Sequence, residues 1–96
     1  MKNQRLAENA RVTAAAAALR RDGATEVYLF GSFAEGRARA DSDLDLAVLG
    51  LPADRFYAAL ARASDAAGIM VDVVCLEDDT PFIRALKTHG GLRRVA

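Results

Sequence analysis

The stretch Phe30-Gly31-Ser32-Phe33-Ala34-Glu35-Gly36-Arg37-Ala38-Arg39-Ala40-Asp41-Ser42-Asp43-Leu44-Asp45-Leu46 constrains the fold more than any other part of the sequence. It follows Thr25 to Phe30, rich in β-formers, and runs into a second strand pattern, Leu44 to Leu49. Between them, Gly31 to Ser42 holds two glycines, small residues and several charges, a loop with room for one helical turn. A Gly-Ser pair at the carboxyl end of one strand meets Asp-x-Asp at the amino end of the next only if the two strands run antiparallel.

The remaining segments supply the other layers. Residues 3–22 are alanine-rich, with Arg20 and Arg21 in the last turn and Gly23 just beyond, the pattern of a helix with a favourable end. Asp54 is placed to cap a second helix running to Ala67, with Phe56, Leu60, Ala63 and Ala67 on one face and Gly68 as its stop. Ile69 to Leu76 is apolar except for Asp72 and reads as a third strand. Thr80 followed by Pro81 opens a last helix that Gly90 and Gly91 close, and the final five residues either add a short strand or fray. The helical crossover makes strand three parallel to strand two. The expected class is α/β, a small mixed sheet of about three strands flanked by helices in α-β-β-α-β-α order. No linker or repeat interrupts it, so one domain over residues 1–96 is expected.

Composition narrows the setting. At 52% hydrophobic and 27% charged, the 96 residues suit one core burying about 60–65% of the unfolded surface. Thirteen basic and thirteen acidic side chains cancel, leaving no global positive field for DNA or an anionic membrane. The longest apolar run, Val12 to Leu19 broken by Thr13, is mostly alanine and too short to span a bilayer. A single cysteine, Cys75, forms no internal disulfide and suits a reducing compartment. A soluble, cytoplasmic protein is expected.

Two familiar motifs fail in the loop. Gly31 and Gly36 have P-loop spacing, but Arg37 and Ala38 stand where Lys and Ser/Thr are required. Asp41, Asp43 and Asp45 mimic the start of an EF-hand, but Leu46 and Pro52 occupy the positions that need Gly and Glu. What remains is Gly-Ser, ten residues, and Asp-x-Asp. Alternation puts Asp43 and Asp45 on one face of their strand, with Cα atoms about 6.5–7 Å apart. Like charges so placed repel unless a cation lies between them, and hard oxygen ligands suit Mg²⁺. An Asx-type turn accounts for Asp41 but not for Asp45. Asp72, set in an apolar strand, either faces water or meets a cation.

With these residues in hand, the sequence resembles the polymerase-β-like nucleotidyltransferase superfamily, and in its brevity the minimal nucleotidyltransferases (MNT). Gly31-Ser32, Asp43-x-Asp45 and the later Asp72 carry that resemblance across essentially the whole chain. Many such proteins are antitoxins of HEPN/MNT toxin–antitoxin pairs. The resemblance implies transfer of AMP from ATP onto a tyrosine of a HEPN-family ribonuclease toxin, silencing it, with hetero-oligomer formation. It implies that Asp43, Asp45 and Asp72 are catalytic and hold two Mg²⁺ ions. Gly31, Ser32 and Gly36, with Arg37, Arg39 and Ser42, would then line the triphosphate site. Glu35 departs from the family, where a basic residue often precedes the second glycine; Arg37 and Arg39 are near enough to compensate. Two other readings remain: a non-catalytic antitoxin that neutralises its partner by contact, and nucleotidyl transfer to a small molecule.

Other residues have plainer roles. His89 lacks a Cys or His partner in the sequence, Cys75 fits the apolar strand, and Tyr28 and Phe30 fit the core of strand one. Lys87, Arg93 and Arg94 read as a solvated basic end, with contact to RNA or an acidic partner as the alternative.

Overall fold

The computed structural model describes residues 2–96, with side chains from residue 7 onward. Three helices, α1 (Lys2–Arg21), α2 (Phe56–Ala67) and α3 (Pro81–His89), accompany four strands, β1 (Glu26–Phe30), β2 (Leu44–Leu49), β3 (Val71–Cys75) and β4 (Arg93–Arg94). The sheet order is β3-β2-β1-β4. β1 is antiparallel to β2, and β2 is parallel to β3, as the Gly-Ser and crossover arguments require. The element order and mixed sheet match the expectation, with one addition. The chain end forms β4, antiparallel to β1 at Tyr28 and Leu29, so the sheet has four strands rather than three.

Strand alternation divides the apolar residues between two faces. Val27, Leu29, Leu44, Leu46, Val71 and Val73 point to one face and pack with buried residues of α1 and α2. At that interface Ala15, Ala59 and Ala63 are wholly buried, and their small side chains let the helices lie close to the sheet. On the opposite face, Phe30, Ala47 and Leu76 pack with Ile83 of α3. Tyr28 is only half-buried and borders this second cluster.

One expected cap is corrected. Asp54 does not cap α2; it sits inside a 3₁₀ turn, Ala53–Arg55, that precedes the helix. Pro52 takes the cap position of that turn and has no side-chain acceptor to offer, and the cap position of α2 itself falls to Arg55, which makes no side-chain capping hydrogen bond. α3 starts as expected: Thr80 Oγ1 accepts a hydrogen bond from the Ile83 amide at 3.1 Å, with Pro81 in the first turn. Among the described residues, no helix is long and apolar enough to cross a membrane.

Candidate active site

The register joins the sequence-predicted carboxylates. Phe30 of β1 pairs with Asp45 of β2, and Asp45 in turn pairs with Asp72 of β3. These three residues therefore form one row across the sheet, with adjacent strands about 4.8 Å apart. Asp43 lies one residue before β2, on the same alternation as Asp45. The carboxylates thus gather where β1 ends and β2 and β3 begin. Asp43 and Asp72 are exposed and Asp45 is half-buried.

The loop after β1 is shaped around Asp45. Gly31 has φ +76°, and a Cβ there would fall on Oδ2 of Asp45 and lie 3.2 Å from its Cγ. Any other residue would be strained and would collide with the carboxylate. The helical turn allowed by the sequence is present: the Glu35 amide donates to Gly31 O at 3.1 Å, and the Arg37 amide donates to Ser32 O at 2.9 Å. Gly36, at φ +73°, is the left-handed residue that ends this turn.

Charge at the site is unbalanced. Burial pushes the Asp45 carboxyl above its ordinary value, and the nearby charges of Asp72 and Asp43 push it further. Among the described residues, no three His, Cys, Asp or Glu side chains are grouped so as to hold a metal ion by themselves. Mg²⁺ does not require such a cage, because it is commonly held by one or two carboxylates together with water and substrate phosphates. The donor set fits that ion: hard, anionic oxygens on adjacent strands, under a glycine that leaves the space above Asp45 free of a side chain.

The flanking residues separate. The Arg37 guanidinium is bound to the Glu35 carboxylate, so the unexpected acid is neutralised and that arginine is engaged. Ser42 Oγ accepts the Arg39 amide at 2.7 Å, and the Ser42 amide donates to Arg39 O at 3.0 Å, closing a turn just before Asp43. Arg39 and Ser42 also line a cleft of about 340 Å³ with Glu8, Arg11 and Phe33, and none of the three aspartates borders it. The structure thus gathers Gly31, Ser32, Asp43, Asp45 and Asp72, leaves Gly36 at the far end of the turn, and gives Arg37 and Ser42 local partners. Cys75 is half-buried, and burial, then Asp78 and Glu77, push its thiol up, the setting of an inert cysteine. Phe82 and Met70 are exposed apolar residues that no motif in the sequence singles out. Their exposure depends on tertiary packing; the sequence marks only that Phe82 follows the Thr80-Pro81 cap.

Comparison with known proteins adds the ancestry. Residues 16–92 match the family model "Polymerase beta, Nucleotidyltransferase". No curated protein matches. A solved minimal nucleotidyltransferase is 26% identical, with a TM-score of 0.67, over 99% of this chain and 93% of that one. A toxin–antitoxin structure with AMP-PNP is 24% identical at TM-score 0.66, covering 81% of this chain and 66% of that one. A complex of tri-AMPylated Shewanella oneidensis HEPN toxin with MNT antitoxin is similar at 23% identity and TM-score 0.59, over 95% of this chain and 70% of its counterpart. At these identities, the likeness to the two toxin–antitoxin structures is one of fold.

Proposed function

Because this chain belongs to the polymerase-β nucleotidyltransferase family, we propose that it transfers AMP from ATP to a protein hydroxyl, a tyrosine of a HEPN-type toxin, and so acts as a cytoplasmic antitoxin. The observation that carries the reading is the row Asp45–Asp72 beside a Gly31 whose missing side chain keeps the Asp45 carboxylate accessible. The AMP-PNP and AMPylated-toxin structures of similar fold support the choice of nucleotide and partner.

Asp43, Asp45 and Asp72 would hold two Mg²⁺ ions, which supply positive charge against the triphosphate and the leaving group. The backbone of Gly31 and Ser32 binds the β- and γ-phosphates, since the amides of a first helical turn lack internal acceptors. Asp72, on the outermost strand of the row, faces the acceptor and orients its hydroxyl, taking the proton as the oxygen approaches. The acceptor oxygen forms a bond to the α-phosphorus, the bond from that phosphorus to the bridging oxygen breaks, and pyrophosphate departs. AMP remains on the acceptor as a phosphodiester.

The test uses the HEPN partner with ATP and Mg²⁺, followed by removal of this protein and measurement of the partner's mass and ribonuclease activity. An AMP-sized mass gain with lasting loss of activity is expected, and Asp45→Asn should abolish both. Unchanged mass with recovered activity would sink the transfer reading and leave neutralisation by contact.

A further inference from the structure

Among the described residues, three large apolar side chains are exposed: Tyr57 at 82%, Met70 at 63% and Phe82 at 53%. They stand in different surroundings. Tyr57 is on α2, the helix that covers the face opposite the carboxylates, and meets Phe56 edge-on. Met70 is two residues before Asp72, at the outer edge of the sheet. Phe82 is on the first turn of α3, the helix packed on the same face as Asp45, and its ring centroid lies 6.0 Å from that of Phe30.

We propose that Phe82 is the platform on which the base of the bound nucleotide stacks, so that the site takes a nucleoside triphosphate in preference to a bare polyphosphate. The inference rests on the nucleotidyl-transfer reading and adds a recognition residue to it. Position selects the nucleotide over the acceptor as the group that meets this ring. Phe82 leans on Phe30, and Phe30 leads directly into the Gly31-Ser32 turn assigned to the phosphates. Asp72, assigned to the acceptor, is at the other end of the row, with Asp45 between.

The ring is also held ready. Thr80 caps the helix through the Ile83 amide, Pro81 fixes the turn, and Ile83 is buried beside Phe30. Phe30 braces one side of Phe82 and leaves a large part of the ring open to solvent, an arrangement that spends little entropy when a flat partner arrives. Any base presents a π-face, so stacking supplies affinity without strict choice among bases.

Binding of Mg²⁺-ATP and of Mg²⁺-tripolyphosphate, measured for the parent, Phe82→Leu and Phe82→Trp, tests the assignment. Leucine retains an apolar contact with Phe30 but has no π-face. It should weaken ATP binding about tenfold and leave tripolyphosphate unchanged, while tryptophan restores ATP binding. Tyr57→Leu, on the opposite face, should change neither. A Phe82→Leu protein that loses both ligands equally, or neither, overturns the assignment while the transfer reading stands. A parent that binds neither ligand overturns the transfer reading and this inference together.

Discussion

Asp45 sits where both burial and its neighbours disfavour its charge. It is half-buried, it pairs across the sheet with Asp72, and Asp43 precedes it on the same alternation. Its carboxyl is raised above the ordinary value of 3.8 by burial first and then by those two charges. The native state therefore holds the Asp45 proton to higher pH than the unfolded chain does, and stability falls as pH rises through the folded value. In chelator at neutral pH, Asp45→Asn should melt at a higher temperature than the parent. That advantage should vanish as pH drops below about 3.8, where both states of the parent carry the proton. A thermal melt series in pH checks both ends, and a lower melting temperature for the variant at neutral pH would contradict the account. The sequence made this cluster legible because alternation places Asp43 and Asp45 together and an apolar strand isolates Asp72. It did not reveal how Gly31 serves Asp45, since the collision avoided there is between a loop and a neighbouring strand. Nor could composition show that Glu35 spends its charge on Arg37, two residues away.

At the scale of elements, caps were readable where one short signal decides them and opaque where two compete. Thr80 and Pro81 supply an acceptor and a fixed φ in the right order, and α3 starts there. Near Asp54, Pro52 takes the turn first, so the aspartate falls inside a 3₁₀ segment. β4 was open in the sequence because Arg93 and Arg94 have little intrinsic preference for a strand; the free edge of β1 recruits them. The Thr80 cap carries a measurable share of stability. Thr80→Ala leaves the Ile83 amide without its acceptor and should cost about 1 kcal/mol in denaturant unfolding. Since α3 also carries Phe82, the same variant should weaken Mg²⁺-ATP binding more than Mg²⁺-tripolyphosphate binding. No change in unfolding midpoint would show that the cap is dispensable.

Across the whole molecule, the two faces of the sheet are covered unequally. Two helices close one face, while a single nine-residue helix covers part of the other and leaves the carboxylate end uncovered. The well-covered side is pinned by Arg62 of α2, whose guanidinium donates to both oxygens of Asp22 at 2.8 and 2.7 Å. The hydrogen bond from Arg62 holds the Asp22 carboxyl below its ordinary value of 3.8, outweighing the opposing effect of desolvation. The stabilisation is therefore complete above that value and is lost as pH falls through the lower, folded one. Asp22→Asn should lower the melting temperature at neutral pH and flatten its decline in acid; an unchanged acid limb would remove Asp22 from the account. The parallel pairing of β2 with β3 also has a consequence in time. On the ribosome, Gly31, Asp43 and Asp45 emerge before α2, and Asp72 follows only after that helix. A growing chain can therefore close the β1–β2 hairpin early, yet its carboxylate row stays one member short until α2 has folded back and carried β3 alongside. Whatever chemistry the row performs is withheld from the half-made protein by the order of synthesis itself.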